Sequence, residues 1–148
     1  MSHSTQGNEG PAICWLNPEQ TAGKKYPYLF TQGQACLNRS LFPCQDTPSI
    51  KVTFSTELVV PKPLVAVCSA EMQNEIEGNR LMGAPVPDEL TKYLPAGKSA
   101  NDFHTFRASL PQGIRVPSYL VAFAVGDISC ASIGPRSKVW TEPSVLER

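Results

Sequence analysis

Two histidines, His3 and His104, and five cysteines, Cys14, Cys36, Cys44, Cys68 and Cys130, are the side chains best suited to catalysis or metal binding in this 148-residue chain. Each such use has a spacing. A zinc centre needs three or four ligands, commonly supplied by Cys-x-x-Cys pairs or by a helical His-Glu-x-x-His, and neither pattern occurs. His104 lies in a β-prone run and reads as an ordinary strand residue, while His3 lies in a polar tail. No serine sits in a nucleophile elbow, and no glycine-rich turn opens a helix after a strand to hold phosphate. An odd number of unpaired cysteines fits neither a disulfide framework nor a thiolate site, so they are expected to be reduced and packed. The expectation is therefore no catalytic residue and no metal ligand in this chain.

Neutral hydrogen-bonding groups remain. Gln32 and Gln34 flank Gly33 in Thr31-Gln32-Gly33-Gln34-Ala35. Two amides on a turn can offer both acceptors and donors to the amine and carbonyl of a ligand. The plainer alternative is that they satisfy the backbone of their own loop. Charge narrows the partner further: thirteen Lys and Arg balance thirteen Asp and Glu, leaving no field to hold nucleic acid or an anionic membrane surface. The start, Met1 to Gly10, has no basic-then-apolar order. The longest apolar run, Tyr119 to Val125, is far below the roughly 20 residues of a membrane helix. A cytoplasmic protein with no membrane partner is the expectation.

The elements that must carry the glutamines read as strands. Ala12 to Leu16 is apolar and stops at Asn17-Pro18, and Tyr26 to Thr31 is aromatic and β-prone. From Gln34 to Phe42 the spacing of Ala35, Leu37 and Leu41 predicts one or two helical turns, ended by Pro43. Cys44 to Pro48 is turn chemistry, with Asp46 placed to accept backbone amides. Ile50, Val52 and Phe54 alternate with polar residues and predict a strand reaching Pro61. Pro61-Lys62-Pro63 then turns the chain into Leu64 to Ser69, a partner for a hairpin or a neighbouring strand. Residues 71–102 are polar and rich in Gly and Pro, and predict a long surface loop. Phe103 to Leu110, a doubly buried Ser118 to Gly126, and a final strand after Ile133 complete a mainly β chain with little helix.

The stretch from Tyr28 to Pro48 resembles the M1 family of zinc aminopeptidases. There a Thr-Gln-x-Glu/Gln-Ala segment, an Arg and a Phe-Pro-Cys-x-Asp-x-Pro close the N-terminal domain over the active site. Trp15 to Lys25, Val116 to Leu120 and Ile133 to Arg136 further resemble the branch that contains leukotriene A4 hydrolase and aminopeptidase B. The resemblance implies an antiparallel, saddle-like β domain over residues 12–134, preceded by a flexible tail, 1–11. Residues 135–148 would link it to a catalytic domain. It implies that Gln34, with Gln32 and Ala35 in the same pocket, binds the free amino end of a peptide. Arg39 and Asp46 would support the turn, and Cys44 would be a buried thiol. The implied zinc belongs to the intact family enzyme. The loop 71–102 departs from the pattern in being longer than its counterpart, and neither the Gly-x-Met-Glu-Asn segment nor the zinc helix is present.

Two readings follow for the chain by itself. In one it is part of a metallo-aminopeptidase, inactive alone, that anchors the substrate's amino end. In the other it is a non-catalytic β domain that binds peptides or a partner protein, and is stable as a monomer.

Overall fold

The structure is a computed structural model that describes residues 10–146. His3 and all of the expected tail except Gly10 and Pro11 lie outside the described residues. In chain order the elements are β1 (Ile13–Leu16), β2 (Tyr28–Thr31), β3 (Lys51–Val52), β4 (Ser55–Pro61), β5 (Val65–Cys68), β6 (Glu71–Met72), β7 (Ile76–Glu77) and β8 (Arg80–Leu81). There follow α1 (Asp88–Thr91), β9 (Phe103–Ser109), β10 (Val116–Pro117), β11 (Phe123–Gly126), β12 (Ser129–Gly134), β13 (Ser137–Thr141) and α2 (Pro143–Leu146). The fold is mainly β, all its strand pairings are antiparallel, and each helix is a single turn.

Two sheets build the core. One has the order β1-β2-β11-β5 and the other β4-β9-β6. Val60 and Phe106 from the second meet Val65 and Ala66 from the first, and Leu81 and Ile128 close the cluster. Phe106 is 0% exposed. Full burial of such a ring contributes about 1.5–3 kcal/mol, and it belongs to the longest strand pair, β4 with β9.

The chain changes sheet at Pro61-Lys62-Pro63, so β4 and β5 do not pair as the hairpin that the sequence allowed. Two prolines within three residues remove the amides that would extend a ladder, and the strands diverge. The corner is held by Lys62 N–H to Asp102 O (2.9 Å), and by Leu64 N–H to Pro61 O (3.0 Å).

Three other regions depart from the sequence reading. Residues 71–102 are not a bare loop: β7 and β8 form a hairpin across Gly78-Asn79, with Gly78 at φ 61°, and Leu81 enters the core. Two-residue strands are too short for periodicity to register, although Gly-Asn is a recognised hairpin dipeptide. The strand from Ile50 to Pro61 is interrupted, β3 pairing with β10 and β4 with β9. The expected strand 118–126 begins only at Phe123, because Ser118–Leu120 is a 3-10 turn. Residues 135–148 contain β13, which pairs with β12, and the helical turn α2. Glu142, between them, accepts hydrogen bonds from Ala22 N–H (2.8 Å) and Gly23 N–H (3.0 Å).

Candidate functional site

The glutamine loop leaves the sheet where β2 ends. Gln32 N–H still bonds Ala12 O at 2.9 Å, continuing the β1–β2 pairing by one residue. Its side chain is exposed, and its Oε1 accepts the Gln34 N–H at 3.3 Å. Gln34 and Ala35 are exposed as well, and the peptide bond between them is cis. No hydrogen bond holds the Gln34 side-chain amide among the described residues, so it faces solvent with both donor and acceptor free. Gly33, between the glutamines, is buried: a Cβ there would stand 2.5 Å from Asn38 Oδ1. Only glycine lets the loop lie so close to the turn beneath it.

That turn is the expected helical one, now resolved as a 3-10 turn at Asn38–Ser40. Asn38 is 0% exposed, and its Nδ2 donates to Ser118 O (2.6 Å) and Val121 O (2.9 Å). Asp46 is buried too. It accepts from Ser118 Oγ (2.6 Å), from Arg39 N–H (2.9 Å) and from Arg39 Nε (3.3 Å), while Arg39 Nη2 donates to Asp46 O (3.0 Å). The Ser118 hydrogen bond, then those from Arg39, hold the Asp46 carboxyl below the ordinary range against the burial that would raise it. Arg39 and Asp46 thus brace the turn, as the sequence suggested. Asn38 and Ser118 do as much and were missed, because the partners of Asn38 are 80 and more residues away.

The reactive side chains are spent elsewhere. His104 Nε2 lies 2.5 Å from Leu64 O, and its ring meets Phe106 edge-on at 4.7 Å between centroids. Burial, reinforced by Lys62 and Arg80, lowers its pKa, although the Leu64 carbonyl pulls the other way. Burial, and then the Asp46 charge, push the Cys44 thiol up, away from nucleophilic thiolate. All five cysteines are free. Among the described residues no three of His, Cys, Asp and Glu lie together as metal ligands. These residues therefore do not fit the zinc that the family resemblance implies. The glutamine loop can instead present neutral amide dipoles, on a rigid base, to a cation or a peptide main chain.

A β domain of this architecture is shared with known proteins. Residues 17–81 match the model of the peptidase M1 N-terminal domain. Those residues are similar to the N-terminal domain of that family. The proteins it is similar to include aminopeptidase B and leukotriene A4 hydrolase. It is 43% identical to mouse aminopeptidase B over 139 residues, which is 94% of this chain and 17% of the mouse protein. It is 38% identical to the leukotriene A-4 hydrolase of Xenopus laevis over 144 residues, 97% of this chain and 20% of that protein. The structure of yeast LTA4 hydrolase in complex with Bestatin superposes with a TM-score of 0.67 at 36% identity. That match covers 95% of this chain and 17% of the yeast protein. The chain thus spans about a fifth or less of the relatives it matches.

Proposed function

We propose that the chain serves as the substrate-anchoring N-terminal domain of an aminopeptidase, with Gln34 receiving the free amino group of a peptide. Gln32 and Ala35 shape the same pocket. The single observation that carries this reading is the unengaged side-chain amide of Gln34, on a loop fixed from below by buried Asn38 and Asp46. An exopeptidase must register a terminal ammonium, and a preorganised amide oxygen does so without the grip of a carboxylate. Hydrolysis, with its zinc, would be performed by other polypeptide of such an enzyme. Five free thiols suit a reducing compartment, and the cytoplasm is the proposed location. No helix of the described residues is long and apolar enough to cross a membrane.

A chimera tests the reading. This chain replaces the matched region of mouse aminopeptidase B, and hydrolysis of an aminoacyl arylamide is followed. Gln34→Ala is expected to lower kcat/KM about 10- to 100-fold, the loss of one hydrogen bond to a charged group. Equal kcat/KM with and without the Gln34 side chain, in an active chimera, sinks the proposal.

A further inference from the structure

After β8 the chain makes an excursion and returns at β9, within the connection whose length departs from the family pattern. Where its two ends meet the Pro61-Lys62-Pro63 corner lies a cavity of about 240 Å³. The outgoing end, from Gly83 to Val86, forms one wall and Asn101 on the returning end another, and Lys62, Phe103 and His104 complete the lining. Both walls are fixed. Ala84 exchanges hydrogen bonds with Thr105 at 2.9 and 2.8 Å, and Lys62 N–H reaches Asp102 O at 2.9 Å. Ser99 caps the 3-10 turn that carries Asn101: its Oγ accepts the Asn101 N–H at 3.2 Å, and its own N–H reaches Asp102 Oδ2 at 3.0 Å.

His104 brings an acceptor to this cavity. A carbonyl oxygen only accepts, so the 2.5 Å contact with Leu64 O assigns the ring proton to Nε2 and leaves Nδ1 of the neutral imidazole without one. Burial favours that neutral form, and Phe106, edge-on at 4.7 Å, packs the ring in place. Nδ1 abuts Gly83, where a Cβ would collide with it, so a larger residue there would cover the nitrogen or displace the ring. Lys62 Nζ and the Asn101 side-chain amide have no hydrogen-bond or ion-pair partner among the described residues. The nearby carboxylates are already engaged: Asp102 turns back to Ser99 N–H, and Asp127 pairs with Arg80 at 3.3 Å. Phe103 and Val86, both half-buried, supply an apolar side.

We infer that this cavity is a binding site for a free α-amino acid with an apolar side chain. Its polar groups complement the two charges of such a molecule: Lys62 Nζ meets the carboxylate, and His104 Nδ1 with the Asn101 carbonyl oxygen receives the ammonium. Phe103 and Val86 take the side chain. A simple anion would turn an acceptor towards Nδ1, itself an acceptor, and a simple amine would be repelled by Lys62; a molecule that carries both charges satisfies the whole set. The cavity is smaller than the roughly 300–1,000 Å³ of sites for drug-sized ligands, which suits a ligand of few heavy atoms. The inference stands apart from any role of Gln34.

Leucine is the probe. The 148-residue chain is titrated with L-leucine to about 10 mM and followed by NMR of the backbone amides and of the His104 ring nitrogens. Saturable shifts are expected at Val86, Asn101 and His104, with the Nδ1 resonance moving as that nitrogen accepts a hydrogen bond. Isocaproate, which lacks the ammonium, and isoamylamine, which lacks the carboxylate, should each bind about 10-fold or more weakly than leucine. Lys62→Met should weaken leucine by a similar factor and keep the thermal melt of the parent, since the Lys62 ammonium holds nothing in the fold. Gln34→Ala should change neither the shifts nor the affinity. Absence of saturable shifts at these residues overturns the inference, and so does undiminished leucine binding by the Lys62→Met variant. Equal binding of isocaproate would reduce the cavity to a carboxylate site, and shifts confined to Gly33 and Ala35 would assign leucine to the glutamine loop; either result overturns it as well.

Discussion

Asn38 does for the glutamine loop what a longer hydrophobic core would do elsewhere: its Nδ2 ties the turn under Gly33 to two carbonyls of the 118–121 segment. Asn38→Ala strands both carbonyls in the interior and opens a void. It is expected to cost about 2–4 kcal/mol, measured by chemical denaturation of the parent and the variant. At this scale the sequence was informative where a residue's role is local. Arg39 and Asp46 lie seven residues apart and read correctly as a braced turn, and Gln34 stood out because two amides flank a glycine. It was uninformative where the partner is distant. Nothing around Asn38 or Ser118 announces their pairing, and a polar side chain in a turn would ordinarily face water, whereas Asn38 is fully buried.

Among elements, the alternating stretch from Ile50 is broken into β3 and β4, while β9 and the apolar runs that became β1 and β2 follow the sequence reading. The corner between β4 and β5 does not, because pairing partners are chosen by the whole sheet while a proline pair fixes only the break. His104 guards that corner through Leu64 O. Burial lowers its pKa in the folded protein below the unfolded value of about 6.5, so the unfolded chain takes the proton first. This part of the stability is complete above that value and is lost as pH falls through the folded one. Thermal melts at pH 7.5, 6 and 5 should therefore drop more steeply for the parent than for His104→Gln, and parallel lines would refute the linkage.

At the scale of the molecule, Glu142 closes the described chain on itself by gripping Ala22 and Gly23. Glu142→Ala should cost about 1 kcal/mol and raise hydrogen exchange at Ala22 and Gly23, leaving the β4–β9 amides unchanged. Equal exchange at Ala22 in both proteins would show that the loop holds itself. The mainly β class was legible from the strand-like runs and the antiparallel pairing from the family resemblance, and the division into sheets was not, since it is set by contacts between chain regions far apart.

The position of β11 between β2 and β5 has a consequence for synthesis. A ribosome makes β1, β2 and β5 well before Phe123, yet the central sheet cannot close until β11 slides between β2 and β5. Leu29 pairs Val125, 96 residues further on, and Val67 pairs Ala124, 57 further on, so they wait about 5–20 s and about 3–11 s at ordinary elongation rates. The nascent chain thus carries unpaired edges on β2 and β5 during that interval, and the central sheet is completed only by pairings distant in sequence.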